Sequence, residues 1–171
     1  MPCPRAVHLA GCVVVVATLA LLAESASARD VPWPLPAFTA GVVKRSFRLA
    51  LARLESPGCQ AIFRDFTDRE GRTLAANLER LGDSPGEHLR RLRWLNGLDH
   101  PRCQDPNVLL VTQVGGRDVY VCPRQFTALA EREPGKAAGL ILHEQLHTLG
   151  LGEDPPTSEQ ISLQVWARCG R

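Results

Sequence analysis

From Lys136 to Leu149 the chain is strongly apolar, yet His143, Glu144 and His147 sit inside that run. Leu142, Leu146 and Leu149 recur at helical spacing and predict a helix with a buried packing stripe. Such a helix cannot bury two imidazoles and a carboxylate without partners, because unpaired buried polar groups cost free energy. The rest of the chain is therefore constrained to surround this helix and to satisfy those three groups. Residues four apart share a helical face, so His143 and His147 can reach one ion together. Glu144 is rotated about 100° from His143, which lets it reach a water on that ion without ligating it. The pattern predicts a catalytic-type Zn²⁺ site with His143 and His147 as ligands and Glu144 as general base.

Two histidines leave this site one ligand short, since a catalytic zinc takes three protein ligands and keeps an open position. Gly150 allows the helix to end and the backbone to turn. Glu153 can then return to the ion. Asp154 and Glu159 are the competing carboxylates. Thr157 and Gln160 read as a capping box, which makes Glu159 a first-turn acid favoured by the helix dipole. The run His143 to Glu153 resembles the metzincin pattern HExxHxxGxxH, with Glu153 in the place of the last histidine. It departs from that pattern in this carboxylate and in having no downstream methionine for a Met-turn, Met1 being the only Met. The resemblance is thus to zincin-like HExxH metallopeptidases in the broad sense. It implies peptide-bond hydrolysis, with His143, His147 and Glu153 holding the metal. The block His143 to Cys169 is also similar to uncharacterised exported bacterial proteins with a C-terminal HExxH.

The N-terminus reads as an export signal. Arg5 precedes an apolar run, Leu9 to Ala23, and Ala26-Ser27-Ala28 offers small residues for cleavage. That run is short for a membrane span, which needs about 20 residues. Leu9-Ala10-Gly11-Cys12 resembles a lipoprotein box, but the apolar run follows Cys12 instead of preceding it, which argues against a lipid anchor. The expectation is a signal peptide over 1–28, an extended lead-in over 29–41, and a single domain over 42–171, secreted or periplasmic.

Of the six cysteines, Cys3 and Cys12 fall in the leader, leaving Cys59, Cys103, Cys122 and Cys169. In an exported chain these predict two disulfides. Cys103 with Cys122 is preferred because it ties the start of a hairpin to its end, and Cys59 with Cys169 then staples the C-terminus to the early body. The other pairings remain open, and a four-cysteine zinc site is disfavoured because no CxxC pair exists. The formal net charge is +2, and no basic stripe with interleaved aromatics appears, so nucleic-acid binding has no support. A peptide or protein substrate is the expected partner.

The remaining pattern predicts an α+β fold, mostly helical, with a small antiparallel hairpin packed on the HExxH helix. Val43, Phe47, Leu51 and Leu54 mark a helix over 42–56, with Lys44, Arg45, Arg48 and Arg53 on a solvated side. Residues 59–66 are ambiguous. Leu74, Leu78 and Leu81 mark a helix capped by Gly82. Ser84-Pro85-Gly86-Glu87 reads as a capping box opening a helix through Leu89, Leu92 and Leu95 to Gly97. Val108–Val114 and Arg117–Cys122 read as strands joined by a two-residue Gly115-Gly116 turn with positive φ. Short and longer helices follow over 126–131 and 157–168. The strand Arg117–Cys122 is a candidate edge strand for peptide substrates by β-augmentation. Tyr120 is read as packing, and His88 and His100 as surface residues. The alternative function is a secreted binding module on the same scaffold, its metal structural or absent.

Overall fold

The computed structural model describes residues 34–170. The signal-peptide expectation over 1–28 lies outside them. Helix α1 (Ala37–Leu54) starts within the stretch expected to be an extended lead-in and buries Val42, Val43, Ala50 and Leu54. One residue of its basic side, Arg53, turns inward: Nη1 donates to the Gly135 carbonyl at 2.7 Å and the guanidinium lies over the Trp166 ring. Two single turns follow, α2 (Pro57–Gln60) and α3 (Ile62–Asp65). Helix α4 (Leu74–Leu81) ends on Gly82 at φ 68°, the left-handed cap expected of it.

Helix α5 (Pro85–Arg91) opens with the expected Ser84–Glu87 capping box, but it does not run on to Gly97. Residues after Leu92 form strand β1 (Arg93–Asn96) instead. Leu95 continues the leucine spacing of the helix by coincidence. What decides the conformation is distant: β1 pairs in parallel with β3 (Asp118–Val121), and Arg93 clasps Asp118 in the same register. Buried Trp94 meets Phe47 of α1 edge-on at 5.8 Å.

A 3₁₀ turn (Pro101–Gln104) leads to β2 (Leu110–Thr112), which runs antiparallel to β3. The sheet is therefore three-stranded and mixed, in the order β1-β3-β2, rather than a lone hairpin. The link between β2 and β3 is also longer than a two-residue turn. Gly116 N donates to Gln113 O at 2.8 Å, and only Gly115 takes positive φ, 74°, as the third residue of a type II turn requires. Helices α6 (Pro123–Arg132), α7 (Pro134–Thr148) and α8 (Ser158–Cys169) complete the chain. Helix α8 carries the expected Thr157–Gln160 capping box.

The outcome is mostly helical α+β, with α7 at its centre. It packs against α1, α6, α8 and β2, and Ala138, Ile141, Leu142 and Leu146 are buried. His88 does not lie at the surface, being 2 % exposed. The Thr148 hydroxyl donates to the Gln145 carbonyl at 2.6 Å and accepts from His88 Nε2 at 2.8 Å, so α5 is tied to α7. His100 is half-buried and stacks at a tilt on Tyr120, with ring centroids 4.7 Å apart.

Both expected disulfides form, Cys59–Cys169 and Cys103–Cys122, which suits an oxidising compartment. Among the described residues no helix is long and apolar enough to cross a membrane. The first disulfide spans 110 residues of chain, so it restricts the unfolded ensemble strongly. Cys59→Ala with Cys169→Ala is expected to lower stability by about 2–4 kcal/mol, read as a reduced urea midpoint. An unchanged midpoint would show that α2 and α8 hold together without it.

Candidate metal centre

The helical spacing sets His143 and His147 one turn apart on α7, and their Nε2 atoms face each other at 2.9 Å. Helix α7 ends just beyond. Gly150 takes φ 106°, and a Cβ there would come within 3.0 Å of Asp68 Cβ, so both conformation and space favour glycine. Asn77 Nδ2 donates to Leu149 O at 2.9 Å and to Asp68 Oδ2 at 2.9 Å, which braces the turn from α4. The chain then doubles back. Leu151 O accepts from His147 Nδ1 at 2.8 Å, and Glu153 Oε1 arrives 3.2 Å from His147 Nε2 and 3.6 Å from His143 Nε2.

His143, His147 and Glu153 thus form a group that can hold a metal ion. Of the three candidate carboxylates, Glu153 is the one that joins the histidines. Asp154 lies on the rim of the adjoining cleft, and Glu159 is exposed in the first turn of α8. The donor set fits a small tetrahedral cation: bonds of about 2.0–2.1 Å place ligand atoms about 3.3 Å apart, close to the three separations seen here.

Hydrogen bonding explains how the nitrogens are presented. A carbonyl only accepts, so Leu151 fixes the proton of His147 on Nδ1 and leaves Nε2 with its lone pair free. His143 Nδ1 lies 3.1 Å from the Ser162 hydroxyl on α8, a group that donates or accepts by rotation. With Ser162 donating, His143 carries its proton on Nε2 and gives it to His147. With Ser162 accepting, His143 frees Nε2 for a cation, and the two lone pairs and Glu153 converge. Ser162 was not legible as a site residue, because a lone serine on a helix carries no signal until α8 is seen to pack on α7.

Burial holds His143 down to about 4, with the charge of His147 acting the same way and Glu153 opposing. Burial also pushes the Glu144 carboxyl above its ordinary value, against the pull of His147, Thr112 and Arg102. At Glu153 burial opposes ionisation too, but the Ser158 hydrogen bond and the two histidines prevail and hold the carboxyl below its usual value.

Glu144, His147 and Glu153 line one cleft of about 350 Å³, whose other wall is β2 with Leu110, Val111 and Thr112. The edge strand beside α7 is therefore β2. Strand β3, expected in that role, has a neighbour on each side and offers no free edge. Tyr120 contacts His100 and is absent from the residues lining this cleft.

No family model, curated protein or solved structure matches this chain.

Two outcomes follow. Calorimetric titration with a divalent transition metal is expected to give about one site per chain, lost in His143→Ala and in His147→Ala. Glu153→Ala and Ser162→Ala are each expected to weaken it by about tenfold or more, and Glu159→Ala to leave it unchanged. Equal loss in Glu159→Ala would remove Glu153 from its place. The second outcome concerns protons. His143 is held at about 4 against an ordinary 6.5, so the unfolded chain binds more protons between those values. The stability of chelator-treated protein should therefore fall as pH drops from about 6.5 toward 4. His143→Ala should flatten that slope in urea melts; an equally steep slope would contradict the assignment.

Proposed function

We propose that this protein is a zinc-dependent peptidase that works outside the cytoplasm. The observation that carries the reading is the convergence of His143 Nε2, His147 Nε2 and Glu153 Oε1 beside buried Glu144, in a cleft bordered by an edge strand. The donor set of two imidazoles and one carboxylate suits Zn²⁺ and leaves one position open. Zinc held there supplies a Lewis acid for a carbonyl and acidifies water.

The chain's own residues do the remainder. The open side of β2 offers main-chain groups to an extended peptide, which would lie along the cleft as an added strand. Glu144 accepts the proton of the attacking water and delivers it to the nitrogen of the leaving amine. Its burial raises its proton affinity, which makes it a better base than an exposed glutamate. Leu151 O and Ser162 keep the two imidazoles aimed while this happens. The disulfides support work in an oxidising compartment.

Glu144→Gln tests the reading, because it keeps shape and hydrogen-bonding reach but cannot take a proton. Zinc content should stay at the wild-type level, while cleavage of a mixed peptide library, followed by mass spectrometry, should drop by about 10²-fold or more. Full activity in Glu144→Gln would remove the general base. Zinc binding by a wild type that cleaves nothing would instead favour a binding module.

A further inference from the structure

The cleft that holds Glu144, His147 and Glu153 is also lined by two arginines, Arg69 and Arg102. They come from two different loops of the chain. Arg102 belongs to the 3₁₀ turn before β2, close enough to Glu144 for its charge to lower that carboxyl's proton affinity. Arg69 follows α3 and lies over the returning chain, where a Cβ on Gly152 would meet its Nε at 3.4 Å. Both are exposed.

Four arginines elsewhere are committed to carboxylates: Arg72 to Asp68 and Glu70, Arg91 to Asp83, Arg93 to Asp118 and Arg168 to Asp65; others without an ion pair lie away from this cleft. Arg69 and Arg102 have no ion pair or side-chain hydrogen bond among the described residues. Arg69 also lines the two cavities that adjoin the cleft, one toward Asn77 and Arg80 and one toward Pro155 and Pro156. It therefore stands at the junction of the three cavities. Asp154 places a carboxylate on the same rim, but a dication on His143, His147 and Glu153 leaves the cleft net positive.

We infer that Arg69 and Arg102 select acidic peptides, binding carboxylate side chains on either side of the bond presented to Glu144. A guanidinium presents a planar fork of donors that matches a carboxylate, and neither arginine has a side-chain hydrogen bond among the described residues to break on turning to a ligand. A peptide is the fitting carrier because the edge strand β2 lines the same cleft through Leu110, Val111 and Thr112. This rests on the reading of the cleft as a peptide site.

The test uses zinc-loaded Glu144→Gln protein, which binds without turnover, and two fluorescent peptide pools. Each pool alternates random residues with a fixed one, glutamate in the first and glutamine in the second. The glutamate pool should bind about tenfold more tightly by fluorescence anisotropy. That preference should shrink in about 0.5 M salt, where screening is strong. Arg69→Gln and Arg102→Gln should each reduce it several-fold, and the pair should abolish it, with zinc content and melting temperature unchanged. Equal affinity for the two pools, no binding of either, or a preference that survives in the double variant overturns the inference. The pool comparison needs no arginine variant, so it decides even if the double variant folds poorly. Wild-type protein separates the two readings. A glutamate preference with no cleavage rejects the peptidase and keeps the acidic selectivity, whereas equal cleavage of both pools keeps the peptidase and rejects the selectivity.

Discussion

Burying α7 on several sides obliges the fold to bring partners to polar groups that the helix carries inward. Those partners come from different elements. Gln145 Nε2 donates to the Pro85 carbonyl at the start of α5. Thr148 accepts from His88 on the same helix. His143 meets Ser162 of α8, and His147 meets the carbonyl of Leu151 beyond the turn. Apolar packing alone would tolerate small rotations of α7 against its neighbours. The polar contacts do not, since a slip strands a donor or acceptor in a low-dielectric interior. The histidine pair is thus aimed by the same bonds that define how the helices pack.

The carbonyl of His147 extends this coupling to the cleft. It accepts from Gly150 N and from Gly115 N, both at 2.9 Å. The turn that closes the β2–β3 hairpin is therefore fastened to the end of the helix that carries the histidines. The wall of the cleft and its floor are one mechanical unit, and the Cys103–Cys122 disulfide holds the other end of that sheet. Gly115 is suited to the role because its positive φ turns its amide toward the helix without strain.

What could be read from the chain beforehand was local. The capping boxes at Ser84 and Thr157, the Gly82 cap and the helix bearing His143 and His147 each depend on residues a few positions apart. Glu153 was legible for the same reason, since Gly150 announces a return of the chain toward His147. What escaped depends on contacts between distant residues. Strand β1 forms because β3 waits 25 positions later, and nothing inside Arg93–Asn96 outweighs the leucine spacing inherited from α5. His88 looked like a surface residue because its partner, Thr148, is 60 positions away. The strand facing the cleft was misassigned because edge and centre are properties of strand order, which the hairpin does not reveal.

Ser162 has a consequence for how the histidine pair would meet an ion. A hydroxyl that donates as readily as it accepts gives His143 a satisfied arrangement with His147 and another with a cation. The interior is never left with an orphaned imidazole in either case. A cation held by His143, His147 and Glu153 would be met by a change of tautomer at His143 and a turn of the Ser162 hydroxyl, with both groups still paired.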